Sequence, residues 1–138
     1  MANEVLALHV DTGAQIFNID DKGEIIGQFR FNPADLDIVK RFPKVVETLN
    51  NLTLPDDPTD EQFFAATDEI KKQFDFLLNY NVSDEIFSKC NPLTPVTNGD
   101  FYCENVLEGI SGIIEKVMNQ RIEKKRAKIQ KATAKYHK

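Results

Sequence analysis

Three groups of residues in this 138-residue chain are of types that do chemistry. Asp11, followed by Thr12 and Gly13, offers a carboxylate on a polar turn. Two such carboxylates at contact distance share one proton, because both cannot ionise together, and the pair then serves as acid and base. Cys90 and Cys103 are the only cysteines, and His9 and His137 the only histidines. A closed zinc site needs about four ligands, usually with one pair two to four residues apart, and no such pair exists here. No histidine lies in the central chain to activate Cys90 as a nucleophile. Free thiols, buried or half-buried, are therefore expected, with no metal and no cofactor; a Gly-rich phosphate loop is also missing. The third group is the basic run Arg121, Lys124, Lys125, Arg126, Lys128 and Lys131, with Lys135 beyond it. Cations near a helix C-terminus complement its dipole, so a plain solvated helix end competes with a protein-docking arm. Nucleic-acid contact is the weaker third reading, since only Tyr136 is near enough to stack and the acidic body repels phosphate.

Asp11-Thr12-Gly13-Ala14, preceded by Ala7-Leu8-His9-Val10, resembles the active-site signature of the retroviral type of aspartic protease, in which each chain of a homodimer supplies one Asp. That resemblance implies a nearly all-β chain with a later apolar-apolar-Gly-Arg or Gly-Asn segment. No such segment occurs, and everything after Asn32 reads as helix. The plain turn is preferred, and an aspartic-protease-like enzyme stays as the remote alternative.

The elements that would position these groups follow from patterning. A chain of this length suits one domain with one core, and 41% apolar content with ten Phe can fill it. No run approaches the roughly 18 apolar residues that span a bilayer, and no charged-then-apolar leader opens the chain, so a protein that stays in the cell that makes it is expected. The net charge of −5 conceals an asymmetry. Lys116–Lys138 holds nine Lys or Arg against Glu123 alone, whereas residues 1–115 carry eight bases against 21 acids. The basic end can pair with an acidic partner or with the body of a neighbouring copy.

Val5–Val10 suggests a strand ending at the Asp11-Thr12-Gly13 turn. Ile16–Ile19 and Glu24–Phe31 predict a hairpin over Asp20-Asp21-Lys22-Gly23, as a type I turn closed by a left-handed glycine. Asn32 as N-cap and Pro33 as first residue predict a helix with Leu36, Val39, Val46 and Leu49 on its apolar side, kinked or split at Pro43. Thr59-Asp60-Glu61-Gln62 matches a capping box, and Phe63, Thr67, Ile70, Phe74 and Leu77 behind it form one stripe. That helix ends near Asn79–Asn81, a short turn from Ser83 returns Ile86 and Phe87 to the same side, and Asn91-Pro92 stops it. Phe74, Leu77 and Phe87 are the first choices for burial. The last helix runs from about Asp100 with Val106, Ile110, Ile113, Val117 and Met118 on one face, and Gly109 and Gly112 within it suggest close helix packing. At 1.5 Å per residue it reaches roughly 48 Å by Lys131, longer than such a domain is wide, so its second half must project or fray.

In order, the chain shows a hairpin, Phe31-Asn32-Pro33-Ala34-Asp35-Leu36-Asp37 opening a helix with Lys40-Arg41-Phe42, and an Asp/Phe-rich helix. Asp84-Glu85-Ile86-Phe87 then precedes Asn91-Pro92-Leu93, and a Lys-rich helix closes with Lys135-Tyr136. Across most of residues 15–138 this resembles the small tail assembly chaperones of long-tailed bacteriophages and prophages of Gram-positive bacteria. The resemblance implies a non-enzymatic protein of the host cytoplasm, absent from the mature virion, that coats the hydrophobic tape measure protein and helps recruit tail tube subunits. The expectation is thus an α+β domain over 1–118, a small N-terminal β-hairpin or meander on a mainly helical body, and a basic helical extension over 119–138. Its candidate partner-binding residues are Arg121, Lys124, Lys125, Arg126, Lys128, Lys131 and Lys135; its partners are the tape measure protein, the tail tube protein and further copies of itself, without membrane. The alternative is a nucleic-acid-binding phage accessory protein.

Overall fold

Local chemistry and the need to cover Phe-rich faces together produce an α+β chain. The computed structural model describes residues 4–134, with side chains to residue 131. The hairpin pairs β1 (Gln15–Asp21) antiparallel with β2 (Glu24–Phe31). Its loop is the two residues Lys22-Gly23, with φ of 51° and 94°, and not the expected type I turn. Two left-handed residues match the twist of the flanking strands, and the Asp20 carboxylate accepts the Gly23 N–H at 2.6 Å. Pairing shifts between Ile19 and Asp20, leaving Ile26 as an extra residue on β2. Beyond that bulge Gly27, Phe29 and Phe31 face inward, and Phe17 closes against Phe31 with ring centroids 4.8 Å apart.

Val5–Val10 does not form the expected strand: residues 4–14 carry no regular structure, and the apolar side chains of Val5, Leu6, Leu8 and Val10 are exposed. No strand among the described residues pairs with them, because Thr12 and Gly13 are held elsewhere.

Helix α1 (Leu36–Asn50) starts later than expected, with Asp35 as its N-cap. Asn32 caps only a local turn, accepting the Ala34 N–H at 3.0 Å, while Pro33 is buried. The expected stripe is also corrected: Leu36 and Val39 are exposed, whereas Ile38 and Val45 are buried with Phe42 and Leu49 packed beside them. That second set falls at spacings of four, three and four, so it lays more apolar surface on one side. Pro43 does not split the helix. It lies on the solvent side, and the Val39 carbonyl it leaves without a helical donor belongs to an exposed residue that water can serve.

Helix α2 (Asp60–Leu78) begins at the capping box, in which Thr59 Oγ1 accepts the Gln62 N–H at 3.1 Å and Gln62 Oε1 accepts the Thr59 N–H at 2.9 Å. Thr67, Ile70, Phe74 and Leu77 are buried and Phe63 half-buried. Asn79 ends the helix in the left-handed conformation, and α3 (Ser83–Ile86) turns the chain back. Asp75 fastens this corner: its carboxylate accepts the N–H groups of Val82 and Ser83 and the Ser83 hydroxyl, each at 2.8 Å. Phe74, Phe87 and Tyr102 then meet edge to face, with centroids 5.1 and 5.8 Å apart.

Helix α4 (Tyr102–Ala134) starts two residues after Asp100, with Glu104 accepting the Phe101 N–H at 3.0 Å. Its buried residues are Tyr102, Cys103 and Ile110, with Val106 and Ile113 packed against the core. Gly109 and Gly112 do not serve close packing: a Cβ at either would meet nothing within 4 Å, because both lie off the core face. Beyond Met118 the helix keeps its form and projects, exposed on nearly every side. No helix among the described residues is long and apolar enough to cross a membrane.

Candidate interaction surfaces

The basic groups lie on the projecting half of α4 and do not converge on one point. Helical spacing sets Arg121, Lys124, Lys128 and Lys131 along one stripe, at intervals of three, four and three. Beside it runs a second stripe of Met118, Ile122, Lys125 and Ile129, so the projection is amphipathic, with Ile122 and Ile129 exposed. Lys124, Lys125, Lys128 and Lys131 are exposed. Arg126 is exposed too and pairs with Glu123 at 3.2 Å. Lys135 lies outside the described residues.

Arg121 is different. It is half-buried, and its Nη1 donates to the Thr12 carbonyl at 3.0 Å, across 109 residues of chain. The guanidinium fills the space where a Cβ on Gly13 would stand, and Gly13 has φ +83°. Only glycine fits there without displacing the arginine. Asp11, whose spacing suggested acid–base chemistry, caps this turn: its Oδ1 accepts the Gly13 N–H at 2.9 Å.

The two thiols are apart in role. Cys90 is half-buried; Cys103 is buried, and burial followed by the Glu104 charge pushes its thiol from 9.0 up to about 11. A thiol held protonated is a poor nucleophile. Burial likewise pushes the Tyr102 hydroxyl up to about 12, with Cys90 and Asp21 adding to it, and that hydroxyl donates to the Ile86 carbonyl at 2.9 Å. Among the described residues no cluster of three or more His, Cys, Asp or Glu is placed to hold a metal ion.

Two grooves flank the first half of α4, and composition alone does not reveal them. One, of about 670 Å³, opens between α1, α2 and α4 over Phe42, Leu49, Ile70, Leu93 and Leu107. Its rim carries Asp100, Glu104 and Glu108, four residues apart along the helix entry. The other, of about 630 Å³, opens between the hairpin and α4 over Phe17, Ile19, Val106, Ile110 and Ile113. The detectable signal was that α4 alternates apolar pairs such as Val106-Leu107 and Ile113-Ile114, which point to two sides of a helix. Compared with family models, curated proteins and solved structures, the chain matches none.

Proposed function

We propose that this chain is a non-enzymatic assembly chaperone of the long-tailed phage type, covering apolar stripes of a helical client such as a tape measure protein and bringing tail tube subunits to it. The observation that carries this reading is the apolar groove between α1, α2 and α4 with its acidic rim. An amphipathic helix docks by laying its apolar face in such a groove, and Asp100, Glu104 and Glu108 favour a client helix with basic flanks. The amphipathic basic projection of α4 offers a second, oppositely charged contact, suited to an acidic stretch of client or to a neighbouring copy. The mainly helical body supports this reading over a retroviral-type protease, and the setting would be the host cytoplasm with the chaperone left out of the mature virion.

The test is co-expression with the tape measure protein of the same phage or prophage. The client is expected to become soluble and to co-purify, and a Leu107→Glu groove variant and a Lys124→Glu/Lys128→Glu/Lys131→Glu variant should each weaken capture. An insoluble client, or capture indifferent to both variants, would sink the reading. The exposed lysines Lys124, Lys128 and Lys131 also favour one rival, nucleic-acid binding; it predicts affinity for generic DNA that falls with salt at a log-log slope of about −0.9 per phosphate contact.

A further inference from the structure

The most exposed apolar surface of the molecule is the arm that precedes β1. Val5, Leu6, Leu8 and Val10 are 96, 85, 90 and 69% exposed, within six residues of chain. Single exposed apolar side chains are ordinary, but a contiguous set marks a contact surface. In an extended chain alternate residues share a face, so Leu6, Leu8 and Val10 form one apolar edge.

A matching receptor lies on the same molecule. The sheet has two strands, and among the described residues no backbone hydrogen bond from outside the hairpin reaches β1. Five consecutive residues of β1, Phe17–Asp21, line the groove between the hairpin and α4. Successive strand residues point to opposite faces, so a groove touching all five reaches the strand's outer edge, and Ile26 and Phe29 of β2 carry it on across the face of the hairpin. Its far wall is Val106, Ile110 and Ile113, and it is low at Gly109, where a Cβ would meet nothing. A strand added there would bond to β1 through its backbone and set every second side chain on an apolar floor. The described arm, residues 4–10, matches the seven residues of β1 in length.

The arm does not enter its own groove. Arg121 holds the Thr12 carbonyl and sits on Gly13, and this anchor is eight residues beyond Ile113, roughly 12 Å further along α4. The chain before it leaves the body with every residue exposed. We propose that the arm of one copy adds as a strand to the β1 edge of a second copy, whose arm is returned in exchange. A single arm is small against the roughly 1,200–2,000 Å² of a specific interface; made twice around a two-fold axis, the contact doubles and closes the pair. This contact is independent of the chaperone reading.

Light scattering on the full chain tests it. Wild type is expected at twice the 15.7 kDa of one chain, and Leu8→Asp, in an exposed arm that the body does not need for folding, at the mass of one. Ile113→Glu, which spoils the groove and leaves the arm intact, is also expected to be monomeric with unchanged helical circular dichroism. Mixing the two variants should give a heterodimer much weaker than the wild-type pair, because only one of its two arm-in-groove contacts is intact. Hydrogen exchange supplies the second readout: β1 amides pointing away from β2 should be protected in the dimer and exposed in Leu8→Asp. A wild type that is monomeric at all concentrations overturns the proposal, whether its β1 amides are protected by its own arm or left open. An oligomer unchanged by Leu8→Asp overturns it as well, and would move self-association to the basic helix.

Discussion

At the corner between α2 and α3, groups leaving water meet partners: Asp75 takes three donors, Tyr102 donates to Ile86, and Phe74, Phe87 and Tyr102 interlock. Along the Val5–Val10 arm the apolar side chains stay in water, and along the end of α4 the cations do the same. The corner is complete within one copy. The arm and the projecting half of α4 instead keep most of their apolar and charged groups exposed.

The sharpest way to break that contrast is to truncate one residue in each region. Phe74→Ala should destabilise the fold by about 3–5 kcal/mol, read as a shift in the urea midpoint, since Phe74 is fully buried. Leu8→Asp should cost less than about 0.5 kcal/mol by the same measurement when both proteins are compared at a concentration low enough for wild type to be monomeric. Equal costs would show that the arm belongs to the body after all.

Asp75→Ala leaves two backbone N–H groups and one hydroxyl without their acceptor, and should cost about 2–3 kcal/mol in chemical denaturation. Asp75→Asn should recover part of that loss, because an amide oxygen still accepts.

Alkaline titration probes the interior of the same region. Cys103 and Tyr102 hold their protons more tightly folded than unfolded, from 9.0 to about 11 and from 10.0 to about 12. Between those values the unfolded chain binds fewer protons, so stability falls as pH rises. Thermal melts should therefore show no contribution from these two groups near neutrality, then a falling Tm from about pH 9 to about 12. Tyr102→Phe should remove the upper part of that fall.

The smallest expected effect lies on the projection. Arg126→Ala breaks an exposed pair with Glu123 and should change stability by about 0–0.5 kcal/mol. A larger loss would mean that the end of α4 is packed on something.

Local signals were the legible ones. The Thr59–Gln62 box needs only three residues of separation, and the Thr67, Ile70, Phe74, Leu77 stripe needs only helical period, so both stand in the structure as they do in the letters. Asn32-Pro33 misled because its cap geometry suits a turn as well as a helix start, and burial of Pro33 chose the turn. On α1 two apolar registers were present, and only contact with α2 selected Ile38 and Val45. Gly109 and Gly112 looked like packing glycines because composition carries no information about which side of α4 meets the core.

The basic end, the acidic body, the capped Phe-rich helix and the corner all follow from residue order, because their causes act within a few residues or one helical turn. The grip of Arg121 on Thr12, the apolar grooves beside α4 and the open edge of β1 do not. Arg121 reaches across 109 residues and the grooves join segments roughly 30 to 95 residues apart, and the distances between them exist only once the core has closed and set α4 across the hairpin.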